Sequence, residues 1–293
     1  MITRPTVVVL HAHPDDEAIF TGATIRTLAD AGVRVVLVTA TCGEQGIPRV
    51  TLAPGETLRA RRIAELERAC ELLGVARLVL LGYRDSGAHA GPYGFGDLGS
   101  APAAGVAGHL ERIVVAEHAE ALVHYDPRGI YGHVDHVQVH RAGARVVRRL
   151  GITGYEATVD AARLRRGPRH VLQQAAGERL DAGVHPSRIG LTLHADVAAL
   201  QAKQAAMAAH ASQIGPEYLD PDGFAQAYRR EWFVRRGAPG VIDAVAARRS
   251  MSTAAIAPAA ATWSAATWSA ATRSAATRSA AAAVAPVIER SAS

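Results

Sequence analysis

Cysteine is scarce. Cys42 and Cys70 are the only two in 293 residues, and no CxxC spacing joins them. That argues against a disulfide framework and against a cysteine-based zinc centre. Long apolar runs are missing as well: none approaches the about 20 residues that a membrane span requires. The start Met1-Ile2-Thr3-Arg4 has no apolar signal region, so a cytoplasmic protein without a membrane partner is expected. Aromatic residues make up only 5% and are not interleaved with basic ones, so the stacking platform of a single-strand nucleic-acid binder is absent. The formal charge of +5 does not restore that reading. Its arginines are scattered, and the one tight cluster, Arg59, Arg61 and Arg62, shares an amphipathic helix with Glu65 and Glu67, as a solvated and paired face does. No nucleic-acid partner is expected.

What is present alternates. Thr6–His11 is a β-branched apolar run that reads as a buried strand, followed by a helix over Ala18–Ala31. Arg34–Ala40 is a second strand, running into the glycine-rich loop Thr41–Gly46. A helix over Gly55–Leu73, a strand at Arg77–Leu81, a loop at His89–Ala104 and a helix over Gly105–Ala119 follow. Ala121–Tyr125 is a fourth strand and His136–Leu150 the next helix. Later elements are a strand at Tyr155–Val159, a helix at Val197–Ser212 and a closing strand at Glu231–Arg235. This alternation implies an α/β, Rossmann-like, mostly parallel sheet with helices on both faces. An order of 3-2-1-4 makes strands one and four neighbours at the switch point. The catalytic domain is expected over 1–236. From 237 to 293 the chain is rich in Ala, Ser and Thr, and Ala261–Ser279 carries a five-residue repeat. That period matches neither helix nor strand, so a disordered low-complexity tail is expected. An alanine-rich helix exposing Trp263 and Trp268 is the alternative.

Two polar clusters stand at strand ends. The first is His11-Ala12-His13-Pro14-Asp15-Asp16-Glu17; the second is Tyr131-Gly132-His133-Val134-Asp135-His136. Zinc takes imidazole nitrogen and carboxylate oxygen and, when catalytic, keeps one position open. His13 and Asp16 are three apart and share one side of a first helical turn. Asp15 points elsewhere and stays free. His136, opening a helix, is the natural third ligand, and His133 reaches the same pocket. A purely structural account, acids at a helix N-terminus, suits Glu17 and partly Asp16 but leaves His11 and His13 unexplained. Among the other histidines, His124 reads as core and His140 as a packed or exposed helix residue. His89, His109, His118, His170, His185 and His194 read as surface. A nucleotide-dependent oxidoreductase is disfavoured, since the first strand-to-helix turn lacks GxGxxG and its acids repel a pyrophosphate.

With Arg62-x-x-Glu65-Leu66, Gly82–Gly87 and Lys203 through His210-Ala211-Ser212-Gln213, the two clusters resemble the PIG-L/LmbE-like family of zinc-dependent N-deacetylases. The resemblance runs from about Val7 to Arg236 and is nearest the actinobacterial branch of mycothiol-pathway deacetylases and mycothiol-conjugate amidases. It implies one Zn2+ per chain on His13, Asp16 and His136, with Fe2+ as another divalent option. It also implies Asp15 as general base and His133 as acid or oxyanion stabiliser, with Asp135 orienting His133. Tyr131 corresponds to a mobile carbonyl-polarising tyrosine, and Arg62 and Asp85 correspond to contacts with sugar hydroxyls. Val134 stands where the family usually has proline, and Phe20 where its sugar-thiol members are polar. The expected function is zinc-dependent removal of an acyl group, acetyl above all, from an N-acetylglucosamine-type amino sugar or conjugate. An amidase on a larger sugar-thiol conjugate or antibiotic, and a non-catalytic metal- or sugar-binding module, remain as alternatives. Self-association as a homo-oligomer is left open.

Overall fold

The computed structural model describes residues 4–87, 94–167, 170–175 and 182–254. Strand β1 (Thr6–His11) leads into α1 (Asp16–Asp30), β2 (Arg34–Thr39), α2 (Leu58–Leu73), β3 (Arg77–Leu80), α3 (Ala103–Ala116) and β4 (Ala121–Tyr125). The one-turn α4 (Gly129–Gly132), α5 (Val134–Leu150), β5 (Thr153–Thr158), α6 (Ala161–Arg166) and α7 (Leu172–Ala175) follow. The chain then forms β6 (Leu191–His194), α8 (Val197–Ala209), α9 (Pro221–Tyr228), β7 (Arg230–Arg236) and α10 (Val241–Ala254).

β1 is buried at every position. A strand covered on both faces needs apolar side chains on both, so its sequence runs Val-Val-Val-Leu rather than alternating. It sits inside a seven-stranded sheet of order β3-β2-β1-β4-β5-β7-β6. Parallel pairing sets His11 opposite Thr39 on one side and Val9 opposite Val123 on the other. Only β7 runs antiparallel to its neighbours, β5 and β6. The chain builds outward from β1 to β2 and β3, then returns to lay down β4 and β5. The crevice at that reversal lies beyond the carboxyl ends of β1 and β4, so the expected 3-2-1-4 order holds and the two polar clusters meet.

Helix α8 packs on α1 and α2. Lys203, the only lysine in the chain, is buried there and donates to the Ile19 carbonyl at 2.8 Å and to Glu231. Glu231 also accepts the Ala23 and Thr24 N–H groups. This buried ion pair ties α1, α8 and β7 together. Removing either partner alone leaves an uncompensated charge, a loss of about 3–5 kcal/mol.

Several boundaries differ from expectation for local reasons. α1 starts at Asp16 instead of Ala18, because the Asp15 carbonyl already accepts the Ala18 and Ile19 N–H groups. α2 starts at Leu58, where Thr57 caps the Ala60 N–H at 3.2 Å. α8 ends at Ala209, so His210 to Ser212 are not helical. Strand β6 went unanticipated: it is four residues long and pairs only with β7. The boundary at 236 needs correction. α10 lies beyond it, with Ile242 and Val245 buried and Asp243 accepting from Tyr155 and Arg235. Residues 237–254 therefore belong to the folded unit, and the repeat tail, with Trp263 and Trp268, lies outside the described residues. His170 is also not a surface residue: it is 7% exposed, its ring 4.6 Å from that of Tyr228. His89 lies outside the described residues.

Two stability predictions follow from this packing. Ending the chain at 240 removes Ile242 and Val245, each worth about 1.5–3 kcal/mol of burial. The urea midpoint should drop markedly, whereas ending at 256 removes none of these contacts and should leave it unchanged. The second concerns acid. Burial pushes His124 and His170 down to about 3, and a neighbouring His140 or Lys203 acts in the same direction. Unfolded, both histidines bind a proton near pH 6.5, so the unfolded state holds more protons and stability falls as pH drops from about 6.5 toward 3. Each contributes about 1.4 kcal/mol per pH unit in that window. Urea titrations at pH 7 and 5 should show the loss, reduced in His170→Gln.

Candidate active site

The chain passes from β1 to α1 through Ala12-His13-Pro14-Asp15. Asp15 adopts φ 118°, ψ −32°, a conformation costly for any residue but glycine. Its N–H donates to Glu17 Oε2 at 3.0 Å, and its Oδ2 accepts from Arg62 Nη2 at 3.0 Å. That corner separates Asp15 from its neighbours. His13 Nδ1 lies 3.4 Å from Asp16 Oδ2, and His136 Nε2 lies 3.3 Å from both of those atoms. Three donors on two sequence-distant segments thus stand at the corners of a near-equilateral triangle. Donors about 2.0–2.1 Å from a tetrahedral cation are about 3.3–3.4 Å from one another, so the residues fit a divalent metal.

The surrounding charges point the same way. His13 Nε2 faces Asp135 Oδ2 at 3.2 Å and Asp85 Oδ1 at 3.5 Å, which places its proton on Nε2 and its Nδ1 lone pair toward the triangle. Burial opposes charge on His13, but hydrogen bonds to Asp135, Asp16 and Asp85 outweigh it and hold its pKa well above the ordinary value. Asp16, despite its burial, is held well below the carboxylate range by His136 and His13. The cluster thus calls for positive charge at its centre. Two other triples also converge within 4.8 Å, His13–His133–His136 and His13–Asp85–Asp135. The second is already engaged: Asp85 accepts the Gln45 and Gly87 N–H groups, and Asp135 accepts Ser86 N–H and Oγ–H.

His133 caps α5. Its Nδ1 accepts the Asp135 N–H at 3.2 Å, so the neutral ring carries its proton on Nε2. Burial, with His13 and His136 nearby, pushes it down to about 3. Its ring stands edge-on to His13 at 4.8 Å. Tyr131 follows Ile130, which is held at φ 67°, and places its half-buried ring edge-on to His136 at 4.9 Å.

One sequence-based assignment changes, and other assigned residues gain partners. Asp135 meets His133 through its main-chain N–H only, while its carboxylate serves His13 and Ser86. Arg62 is 4% exposed, and its fork is bound to the carbonyls of Gly43 and Pro14 and to Asp15, so it braces the corner. Asp85 is likewise buried and bound by backbone. Phe20 packs against the rings of Tyr125 and His136. Two supports went unassigned in the sequence. His11 bonds Tyr125 Oη and Thr21 Oγ1, each at 2.8 Å, and the Tyr125 ring stacks on His136 at 4.4 Å. Glu17 joins His210 at 2.6 Å. The position of His11 inside the cluster was a signal for the first; nothing local pointed to the second.

This arrangement has counterparts. The family model described as "PIG-L: GlcNAc-PI de-N-acetylase" matches residues 8–147. A "1D-myo-inositol 2-acetamido-2-deoxy-alpha-D-glucopyranoside deacetylase" of Acidothermus cellulolyticus is 35% identical over 263 residues, 78% of this chain and 88% of that protein. The chain belongs to the PIG-L family. It is an enzyme of the amide-hydrolysing deacetylase class. Two solved structures share the fold. One is an A40926 pseudoaglycone deacetylase, with TM-score 0.57, 17% identity, 82% of this chain and 100% of that one. The other is the N,N'-diacetylchitobiose deacetylase from Pyrococcus horikoshii, with TM-score 0.53, 22% identity, 79% of this chain and 83% of that one. Among the described residues no helix is long and apolar enough to cross a membrane.

The brace on Asp15 is directly testable. A Cβ on Gly43, itself at φ 66°, would fall 2.3 Å from the Arg62 guanidinium. Gly43→Ala should displace Arg62 and cost about 1–3 kcal/mol, read as a lower thermal midpoint.

Proposed function

We propose that this PIG-L family member hydrolyses the acetamide of an N-acetylglucosamine-type sugar or small conjugate, with zinc bound by His13 Nδ1, Asp16 Oδ2 and His136 Nε2. Two imidazoles and one carboxylate form a donor set suited to that metal. Bound there, the cation supplies Lewis acidity, polarising an amide carbonyl and acidifying water.

The observation that carries the proposal is the placement of Asp15, strained at φ 118° and braced by Arg62 and Glu17. It stands beside the donor triangle without joining it. Burial pushes its carboxyl up to about 7, Asp16 adds to the rise, and Arg62 restrains it. A carboxylate held beside the metal donors accepts a proton from an attacking water and can return it within one turnover. A module that only bound metal or sugar would have no use for a strained carboxylate braced there by Arg62 and Glu17.

His133 has a different task. Held neutral with Nε2–H free to donate, it stabilises the oxyanion that develops as the carbonyl is attacked. Tyr131, on its strained turn against His136, contributes a hydroxyl beside the same carbonyl. Asp85 and Asp135 keep His13 in the tautomer that turns Nδ1 inward. The Acidothermus relative supports a glucosaminide as the substrate class. No observation at the site favours an amidase acting on larger conjugates.

Purified protein should hold about one zinc per chain, and His136→Ala should lose it. Asp15→Ala should keep the metal while acetate release from N-acetylglucosamine conjugates drops at least about a hundredfold. Normal turnover in Asp15→Ala, or unchanged metal content in His136→Ala, would contradict the respective assignment.

A further inference from the structure

Glu17 and His210 lie outside the donor triangle, yet both are fully buried. A third carboxylate within one turn of Asp15 and Asp16 adds repulsion in a low-dielectric setting. A helix N-terminus alone gives no reason to bury it, because the dipole favours an exposed acid as well. The contacts of Glu17 supply the reason. Its Oε2 accepts the Asp15 N–H at 3.0 Å, and its Oε1 accepts from His210 Nε2 at 2.6 Å. At φ 118° the Asp15 N–H precedes the helix and has no carbonyl partner, so Glu17 alone satisfies it.

His210 is itself anchored. It is the first residue past α8, and its carbonyl accepts the Gln213 and Ile214 N–H groups at 2.9 and 2.8 Å. Ser212 donates N–H and Oγ–H to Glu65 on α2, at 2.9 and 2.6 Å. α8 is fastened to α1 through Lys203 and the Ile19 carbonyl. A chain of bonds therefore runs from the rigid α2–α8 pair through His210 and Glu17 to the main chain of Asp15.

Resting on the assignment of Asp15 as the base, we propose that Glu17 and His210 are positioning residues: the pair holds Asp15 at positive φ, and so sets its carboxylate against the attacking water without touching the substrate. Without that bond the residue relaxes toward an ordinary conformation and the carboxylate moves. A displacement of about 1 Å at a reacting group is worth about a hundredfold in rate.

The test measures kcat, KM and metal content of the full chain on N-acetylglucosamine conjugates. Glu17→Ala and His210→Ala should each lower kcat about ten- to hundredfold, with KM and metal stoichiometry unchanged. His210→Gln keeps an amide N–H to donate to Glu17 Oε1, so it should restore most of the rate lost in His210→Ala. In an Asp15→Ala background, Glu17→Ala should cost nothing further, because both changes remove the same function. If Glu17→Ala does not fold, His210→Ala and His210→Gln carry the same comparison. Four results overturn the role: wild-type kcat in the alanine variants, metal lost in step with activity, His210→Gln as slow as His210→Ala, or an additive loss in the Asp15→Ala background. If Asp15→Ala itself turns over normally, the base assignment fails and this role with it. An inactive Asp15→Ala beside an unimpaired Glu17→Ala overturns this role alone.

Discussion

Three buried donor atoms, on His13, Asp16 and His136, are held within 3.4 Å of one another, and much of the structure answers that constraint. Lone pairs crowded so closely repel unless positive charge lies among them, and burial strengthens the repulsion. The fold brings them together at the reversal between β1 and β4, where the sheet edge opens a crevice instead of closing over it. Around them, Asp135 and Asp85 hold His13 Nε2, and the Tyr125 ring stacks on His136 with His11 behind it, while His136 Nδ1 is buried without a hydrogen-bond partner. Buried groups of this kind are costly unless satisfied: hydrogen bonds fix His13, whereas the His136 ring is fixed by packing between Tyr125, Phe20 and Tyr131.

The second constraint is strain. Asp15 follows Pro14 and precedes a helix whose first residue, Asp16, must turn toward α5. If the chain continued smoothly, consecutive residues would present their carboxylates to adjoining sectors of one helix face. The positive φ breaks that continuity and gives Asp15 a separate environment, with Arg62 on one side and Glu17 behind its main chain. Two neighbouring carboxylates then acquire opposite tendencies. Asp16 is driven down by imidazoles, and Asp15 is driven up by burial and by Asp16 itself. Such divergence between adjacent acids is a mark of divided roles in acid–base chemistry.

The inner strands were legible because each is short, apolar and bounded by polar residues; β1 and β4 were read to the residue. The meeting of the two clusters was legible too, since alternating strands and helices leave few places for a switch point. What escaped were features decided by distant partners. β6 is held by one neighbour and carries no run of its own. α10 follows a glycine–proline stretch and resembles the repeats after it, yet Tyr155 and Arg235 fasten it. Arg62 and Asp85 carry charges that look available in sequence, but backbone carbonyls and N–H groups from the glycine-rich loops claim them. Glu17 looked like an ordinary helix-start acid because its partner, His210, is 193 positions away.

Val134 shows how one departure from the family pattern is absorbed. A proline at that position would hold the preceding residue in extended conformation by steric exclusion. His133 nonetheless sits at φ −61°, ψ 133°, within the range such a proline enforces. Here the conformation is secured from the side chain: Nδ1 accepts the Asp135 N–H and caps α5, an arrangement that itself requires an extended residue at the cap. The same bond fixes the tautomer, so the geometry of the turn and the chemistry of the ring are set by one interaction. Losing the proline removes one restraint on His133 and leaves in place the bond that orients its Nε2–H.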